Sequence, residues 1–279
     1  AAAPRGDGAD RAEGQEPAGA RVQGGALNVP TGYRESAHDG TLLVARDDAH
    51  DALRDILMRA TLHTWASLQP GARAMRGRGT TWATALPSGQ PVAVRHSLHG
   101  GILAAITRDL FRAPTRAPHE LATALRLARS GVRTPGVLGF AVYAATGPLC
   151  RADVVTELLD GVDLVSALRD GRGPSERDAL FAAVRQLLDG LSAAGALHPD
   201  LNARNIFILH DPVLCTAAVL DVDRVRFVTG PDVATPNASR LARSLRKVAA
   251  AGECPVTDGD ITGLTAAAPR GGEIGRAHV

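Results

Sequence analysis

The stretch LHPDLNARNIFI, from Leu197 to Ile208, places polar and charged side chains between two apolar segments. An Ala- and Leu-rich helical pattern precedes it, and the short apolar run NIFIL ends it. A buried polar group without a hydrogen-bond partner costs roughly 1 to 3 kcal/mol, so these residues need partners or a task. His198, Asp200 and Asn202 could simply brace a turn after a helix, and a functional loop is the other interpretation.

The spacing of the polar residues favours a functional loop. His198, Asp200 and Asn205 follow the pattern H-x-D-x-x-x-x-N, and Asp221 closes the later apolar run AAVLD. This order matches the catalytic loop of kinases and the metal-binding Asp that follows it. Phosphoryl transfer needs a carboxylate that accepts the proton of the acceptor hydroxyl, and oxygen ligands for Mg²⁺. Asp200 suits the first task, and Asn205 and Asp221 suit the second.

A kinase also needs three upstream features in a fixed order. A glycine-rich hairpin comes first, here opened by Gly77 and Gly79, and a cation on a later strand follows, here Arg95 at the end of VAVR. A helix then supplies a carboxylate for that cation, and Glu120 lies in the helical segment APHELATALRLARSG. Each feature alone is also typical of a turn, an edge strand or a solvated helix. Their common order predicts a site for ATP.

Hydrophobic periodicity divides the chain into a strand-rich part and a helix-rich part. It predicts a strand over 40–46, a helix over 47–60 that Asp47 can cap, and strand pairs around Pro87-Ser88-Gly89 and Thr146-Gly147-Pro148. Further helices are predicted over 117–131, 163–170, 174–195 and 236–251. This order predicts an α+β class with two lobes. The match to the kinase motifs implies a protein-kinase-like two-lobed fold, with an antiparallel-sheet N-lobe and a reduced helical C-lobe.

We expect four segments along the 279 residues. Residues 31–160 form the N-terminal lobe with the glycine-rich hairpin, and residues 161–270 form the C-terminal lobe with the catalytic loop. Residues 1–30 are rich in Ala, Gly, Pro, Arg and Asp without periodicity, which is typical of a disordered leader. The final EIGRAHV back-translates to codons that contain a widely used sequencing adapter, so we interpret residues 271–279 as a non-native tail.

Composition excludes several classes of protein. A formal net charge of +2 and an aromatic content of 3% give no basis for nucleic-acid binding. Cys150, Cys215 and Cys254 show no C-x-x-C spacing, which indicates a reducing compartment and neither a zinc site nor a disulfide framework. No apolar run approaches the roughly 18 residues of a membrane span. We therefore expect a cytoplasmic protein that can still touch a membrane surface.

The motifs GRGTTW, VRHSLHGGI, HPDLNARNI and LDVDR resemble the 3-deoxy-D-manno-octulosonic acid (Kdo) kinases of the lipopolysaccharide kinase family. The resemblance covers about residues 77–251. The family's R-H-x-x-x-G-G corresponds to Arg95, His96, Gly100 and Gly101, so Arg95 resembles the family's replacement for the usual kinase Lys.

Two departures from related patterns affect the site. Val222 replaces the Phe of the family's usual Asp-Phe-Asp, a loss that we expect to loosen packing under the metal site without removing a ligand. Asn202, as in the family, replaces the Lys that follows the catalytic Asp of many protein kinases, so another cation must face the transferring phosphate. Arg204 is one candidate, and a solvated loop arginine is the alternative.

The resemblance implies an ATP- and Mg²⁺-dependent kinase that phosphorylates a Kdo hydroxyl of a lipid A precursor in lipopolysaccharide core biosynthesis. It implies a Kdo-containing glycolipid as substrate and peripheral contact with the cytoplasmic face of the inner membrane. Arg108, Arg112 and Arg116 could meet the anionic groups of this glycolipid, although a solvated basic face has the same spacing.

Two alternatives to this activity stay open. The core motifs select ATP and not the acceptor, so the chain could be a kinase for another small molecule or for protein. It could also be a pseudokinase that binds a nucleotide without catalysis. Retention of Asp200, Asn205 and Asp221 argues against the pseudokinase.

Overall fold

The computed structural model of the chain describes residues 28–75, 80–98, 109–170, 173–211, 213–229 and 233–265. A large sheet dominates the first half of the described chain, and helices dominate the second half. This arrangement confirms the predicted α+β class. The predicted tail at 271–279, and the predicted leader up to residue 27, lie outside the described residues.

The sheet of the first half has eight strands, all paired antiparallel. They are β1 (Tyr33–His38), β2 (Thr41–Arg46), β3 (Arg73–Met75), β4 (Thr81–Ala85), β5 (Pro91–His96), β6 (Phe111–Arg112), β7 (Val137–Ala144) and β8 (Leu149–Glu157). The order is β1-β2-β7-β8-β5-β4-β3, and β6 also pairs with β8. Strand β5, which carries the predicted cation, therefore lies inside the sheet.

The hairpin of β4 and β5 confirms the turn predicted at Pro87-Ser88-Gly89. Gly89 adopts a φ of +86°, a left-handed conformation that glycine reaches without steric cost. The amide of Leu86 donates to the carbonyl of Gln90 at 2.9 Å and closes the turn. The resulting register pairs Thr81 with Arg95, so the residues that follow the glycine-rich segment lie beside the predicted cation.

The central strands β7 and β8 are buried on both faces of the sheet. One face packs against α1 (His50–Leu57) and α2 (Leu62–Ser67), through a cluster that includes Leu53, Leu62 and Val155. The other face packs against α3 (Ala117–Arg129) and belongs to a larger core that extends into the second half of the chain. A strand buried on two faces reads as a nearly continuous apolar run, which explains the sequence VLGFAVYA of β7.

The start of α1 differs from the prediction. The helix begins at His50, its N-cap is Ala49, and no side chain caps it. Asp47 instead lies 3.2 Å from Arg34 of β1, so the predicted Asp47 cap is wrong. The pairing of β1 with β2 brings that arginine next to Asp47 and provides the carboxylate with a cation. Helix α2 was not predicted, and Thr61 caps it by accepting from the amide of Thr64.

The second half contains four helices and two small sheets among the described residues. The helices are α4 (Leu164–Arg169), α5 (Pro174–Ala193), α6 (Ala234–Ala250) and α7 (Asp258–Thr265). The small sheets pair β9 (Gly161–Asp163), β11 (Ile206–Leu209) and β12 (Ala217–Val219), and β10 (Ala196–Leu197) with β13 (Arg226–Phe227). Within the described chain no helix is both long and apolar enough to cross a membrane.

These small sheets position the stretch LHPDLNARNIFI. It leaves β10 at Leu197 and enters β11 at Ile206, so residues 198–205 form a loop held by strands at both ends. The antiparallel pairing of β11 with β12 brings this loop next to the end of β12, where Asp221 follows. The large sheet ends at Glu157, and the division into lobes at residues 160 and 161 stays a prediction.

Candidate active site

The loop 198–205 is held together by its own side-chain amides. The carbonyl oxygen of Asp200 accepts from Asn202 Nδ2 and from Asn205 Nδ2, each at 3.0 Å. Asn202 Oδ1 in turn accepts from the amides of Arg204 at 2.9 Å and Asn205 at 3.2 Å. Because Asn205 uses Nδ2 for the backbone, its Oδ1 is the atom that suits a metal. The two asparagines thus fix the backbone that carries Asp200.

His198 joins this loop to the segment that carries Asp221. Its buried ring places Nε2 3.0 Å from the carbonyl oxygen of Leu220, while Nδ1 accepts from the amide of Asp200 at 3.3 Å. A carbonyl only accepts and an amide N–H only donates, so the ring is neutral with its proton on Nε2. Burial lowers the pKa of His198, in agreement with this state. The amide of Leu220 also donates to the carbonyl of Asn205 at 2.8 Å.

Asp221 occupies a strained position directly before a 3₁₀ turn (Val222–Arg224). Its φ of +55° and ψ of +49° lie in the left-handed region, which is uncommon for residues other than glycine but favoured among them by Asn and Asp. The side chain is exposed, whereas Val222 is buried in the main core. The backbone therefore turns the carboxylate outward and the apolar side chain inward. The expected loosening at Val222 stays a prediction.

Arg95 and Glu120 form the ion pair that the kinase pattern predicts. Arg95 Nη2, at the end of β5, lies 2.6 Å from Glu120 Oε2 in the first turn of α3. Burial raises the pKa of Glu120 and Arg95 lowers it, while the charge of Glu120 raises the pKa of Arg95. Arg95 carries its charge throughout, because a guanidinium keeps its proton, and burial leaves the pKa of Glu120 above its usual value despite that cation. The Arg95 side chain is 34% exposed, which leaves it accessible to a nucleotide.

Helix α3 also contacts the segment that follows Asp221. Arg116 Nη1 lies 3.3 Å from Asp223 Oδ2, and His119 Nε2 lies 3.1 Å from the carbonyl oxygen of Val225. The carboxylates of Asp223 and Asp221 also raise the pKa of Arg95, since they lie near its guanidinium. The first turn of α3 thus connects the cation of the large sheet to the acidic segment.

The remaining predicted residues have different placements. Gly77, Gly79 and Arg108 lie outside the described residues. Arg112 is exposed in β6. Arg204 forms an ion pair with Glu253, which follows α6, so the structure provides this loop arginine with a structural partner.

The donors near Asp221 fit Mg²⁺. They include the exposed carboxylate of Asp221 and the amide oxygen of Asn205. In the described part of the chain, no group of three or more His, Cys, Asp and Glu side chains could hold a metal ion. Mg²⁺ commonly keeps several waters and binds through one or two carboxylates together with substrate phosphates. A sparse oxygen set therefore suits a magnesium ion that binds with the nucleotide.

Comparison with known proteins gives the family. The model of the Lipopolysaccharide kinase (Kdo/WaaP) family matches residues 63–267. The chain belongs to this family. The match begins in α2, ends beyond α7, and contains every residue of the predicted site.

Several relatives of this chain are named 3-deoxy-D-manno-octulosonic acid kinase. One from Pasteurella multocida (strain Pm70) is 30% identical over 179 residues, which are 62% of this chain and 73% of the relative. Another from Stenotrophomonas maltophilia (strain R551-3) is 32% identical over 184 residues, which are 63% of this chain and 69% of the relative.

A solved structure described as WaaP in complex with acyl carrier protein aligns with a TM-score of 0.52 at 19% identity. The alignment covers 80% of this chain and 86% of that chain. At this identity the likeness shows the fold alone.

Sequence reasoning about this Kdo/WaaP family member missed a second polar cluster. Asp153 of β8 is completely buried, and its carboxylate contacts His96, Tyr143 and the amide of His63. An Asp inside the strand sequence LCRADVVTE gave no sign of its partners, which come from three other elements. The adjacency of His96 to Arg95 is the signal that could have found the cluster.

Proposed function

We propose that this member of the Kdo/WaaP family transfers the γ-phosphate of ATP to a Kdo hydroxyl of a lipid A precursor. The observation that carries the proposal is the 2.6 Å ion pair of Arg95 and Glu120, set beside the acidic segment at Asp221 and Asp223. This arrangement supports binding of a nucleotide phosphate. The relatives that are named Kdo kinases support the class of the acceptor.

The proposed reaction uses few protein groups, because phosphoryl transfer depends mainly on positioning and on charge stabilisation. Arg95, oriented by Glu120, holds the nucleotide phosphates. The hydroxyl oxygen of Kdo forms a bond to the γ-phosphorus, and Asp200 accepts the proton that this hydroxyl loses. The bond from the γ-phosphorus to the β–γ bridging oxygen breaks, and ADP leaves. Asn205 and Asp221 would hold Mg²⁺, which neutralises the charge of the phosphates when it is bound.

The hydrogen bonds of the loop support the role of Asp200. A proton acceptor must be held within hydrogen-bonding reach of the hydroxyl, and a small displacement costs a large part of the rate. The carbonyl of Asp200 is held by Asn202 and Asn205, and its amide is held by His198. The backbone of Asp200 is thereby fixed on both sides of the carboxylate.

The proposed substrate places the enzyme at the cytoplasmic face of the inner membrane, in peripheral contact with it. A Kdo-containing lipid A precursor carries acyl chains in the bilayer, and its carboxylate and phosphates are anionic. Exposed arginines match such groups because a guanidinium donates two parallel hydrogen bonds. Arg112 of β6 is exposed and precedes α3, so it is a candidate for this contact.

The test is transfer of labelled phosphate from ATP to a purified Kdo-lipid A precursor in detergent micelles. Three acceptors are compared under matched conditions: the precursor with Kdo, the same precursor without Kdo, and a soluble neutral sugar. We expect label only on the acceptor with Kdo, and only with Mg²⁺. Faster labelling of the neutral sugar or of a protein would refute the acceptor. Nucleotide binding without transfer to any acceptor would favour the pseudokinase.

A further inference from the structure

Asp153 is a buried carboxylate with three donors. It lies in β8 with 0% of its surface exposed. Its Oδ1 lies 2.5 Å from His96 Nδ1, and its Oδ2 accepts from Tyr143 Oη at 2.8 Å and from the amide of His63 at 2.9 Å. The phenol must donate to Asp153, because its oxygen already accepts from the amide of Leu62 at 2.9 Å. Two donors on Oδ2 favour the ionised carboxylate over the neutral acid, and a buried carboxylate charge requires a cation.

His96 lies between two carboxylates. Its Nδ1 faces Asp153, and its Nε2 lies 3.3 Å from Asp109 Oδ2. A neutral imidazole has one N–H, so one ring nitrogen would then turn a lone pair toward an anion. Both contacts are favourable only if the ring is an imidazolium.

The charged and titratable groups around the ring come from several elements. Asp153 and Arg151 belong to β8, Tyr143 to β7 and His63 to α2, and Asp109 precedes β6. Arg151 Nε lies 2.6 Å from Asp109 Oδ2 and takes part of that carboxylate's charge. Among the described groups around the ring, no arginine or lysine pairs with Asp153, so His96 is its counterion.

The same cluster adjoins the end of β5 that carries Arg95. In the β5–β8 register His96 pairs with Asp153, and Arg95 pairs with Val154. His63 Nε2 lies 3.0 Å from the carbonyl oxygen of Thr80, the residue directly before β4. Successive side chains of a strand point to opposite faces, so His96 holds β5 from one face while Arg95 reaches Glu120 on the other. The cluster thus fixes the backbone from which Arg95 extends.

We propose that His96 is a positioning residue of the kinase reaction: as an imidazolium between Asp153 and Asp109, it fixes the end of β5 and thereby directs Arg95 to the nucleotide phosphates. The part of the proposal that concerns nucleotides rests on the proposed function. The charge state of His96 does not, and it is measurable without a nucleotide.

The proposal has a direction in pH. The hydrogen bond and the charge of Asp153, together with Asp109, raise the pKa of His96 above its ordinary value. Because the folded pKa lies above the ordinary value of about 6.5, the imidazolium predominates at and below that value, and it is lost as pH rises through the higher folded pKa. Nucleotide affinity should therefore fall across that upper range, as the ring releases one carboxylate.

The charge state is tested by NMR titration of the imidazole in the full chain, with His96 assigned from the spectrum of His96→Gln. We expect a midpoint above 6.5 for His96, a lower midpoint in Asp109→Asn, and no change for the exposed His38. If the His96 ring were neutral and only structural, Asp109→Asn would not lower its titration midpoint. A His96 midpoint at or below 6.5 would overturn the proposal.

The positioning role is tested by the affinity for a Mg²⁺-bound, non-hydrolysable ATP analogue between pH 6 and 9. We expect His96→Gln to weaken binding by between about 10- and 100-fold, the range for groups that orient a ligand residue, and to abolish the pH dependence. His38→Gln, at the exposed end of β1, is the matched control and should bind as the parent does.

The two experiments separate the possible failures. Asp109→Asn should weaken binding of the ATP analogue less than His96→Gln does, and it should lower the pH at which the affinity falls. This second variant keeps the proposal testable if His96→Gln does not fold. Parent-like affinity and pH dependence in both variants would refute the positioning role. If the parent binds no nucleotide, the proposed function fails, and the titration still decides the charge of His96.

Discussion

His198 Nε2 lies 3.0 Å from the carbonyl oxygen of Leu220, the residue directly before Asp221. The same ring accepts from the amide of Asp200 through Nδ1. One buried, neutral side chain therefore holds the proposed proton acceptor and the proposed metal ligand in a fixed relationship. A protonated ring would turn an N–H toward the N–H of Asp200 and break that bond.

The burial of His198 predicts a loss of stability at acid pH. Its folded pKa is lowered by burial, so the unfolded chain takes up the proton first as pH falls below about 6.5. The contribution of His198 to the free energy of unfolding is fully present above that pH and is lost as pH falls below it. Urea unfolding of the parent and of His198→Phe, from pH 5 to 8, should show a free-energy difference that shrinks as pH falls. A difference independent of pH would contradict a buried neutral ring.

Removal of the Asp200 carboxylate should affect the chemical step and leave nucleotide binding intact. Asp200→Asn keeps the shape of the side chain but cannot accept the proton of the hydroxyl. We expect kcat to fall by a factor of about 10² to 10⁴, the usual contribution of a positioned proton acceptor. The measurement is the initial rate with the Kdo-lipid acceptor, alongside the affinity for the ATP analogue. A variant with the parent's rate would remove Asp200 from the mechanism.

Asp221 combines a charge with a left-handed backbone, and two variants separate these properties. Asp221→Asn retains a residue type that tolerates a φ of +55° and loses the charge, whereas Asp221→Ala loses both. Because the carboxylate is the charged Mg²⁺ ligand of the proposal, both variants should lose Mg²⁺-dependent nucleotide binding. Only Asp221→Ala should also lower the urea midpoint. Unchanged Mg²⁺-dependent affinity in Asp221→Asn would exclude the metal role.

The sequence predicted the parts of the fold that follow from periodicity and from turn chemistry. The hairpin around Gly89 and the strand VLGFAVYA could be predicted because period-two runs, a turn glycine and a continuous apolar run are local signals. Strand β1 was not predicted, because its YRESAH pattern is mostly polar, and only pairing with β2 makes it a strand. The six residues of α2 are too few for helical periodicity to show.

The candidate site divides in the same way. Arg95 and Glu120 could be proposed as a pair because the order of kinase motifs is fixed along a chain, and the structure places them 2.6 Å apart. The partners of Asp153 could not be proposed, since they depend on the register of β8 with β5 and on the packing of α2. The spacing of Arg116 left open an anionic acceptor or a solvated basic face, and the structure places it 3.3 Å from Asp223. The charge of an arginine can be read from the sequence, but its carboxylate partner depends on tertiary packing.

Arg95→Lys tests whether the geometry of the cation matters beyond its charge. A guanidinium can donate to Glu120 and to a phosphate oxygen at once, whereas an ammonium is a compact point donor on a shorter side chain. We expect nucleotide affinity and kcat/KM to fall in Arg95→Lys although the charge is kept. Glu120→Gln should lower the same quantities, because Arg95 loses its charged partner. Parent-like kinetics in Arg95→Lys would make this arginine a spectator.

The use of an anionic glycolipid should depend on arginines outside the nucleotide site. Arg112 is the better test of this contact, because Arg116 is engaged with Asp223 beside the acidic segment. Arg112→Gln should raise the KM for the Kdo-lipid acceptor and leave acceptor-free ATP hydrolysis unchanged, whereas Arg116→Gln should alter both. Arg59→Gln, at an exposed arginine after α1, is the control and should match the parent.

Added salt should separate the acceptor from the nucleotide in the same assay. The Debye length falls from about 10 Å at 0.1 M to about 3 Å at 1 M, so salt screens exposed charges far more than the partly buried pair of Arg95 and Glu120. We expect the KM for the glycolipid to rise with salt in the parent and to rise less in Arg112→Gln, which has already lost one exposed contact. The affinity for the ATP analogue should change little in either protein. Equal salt dependence of both substrates would place the acceptor contact elsewhere.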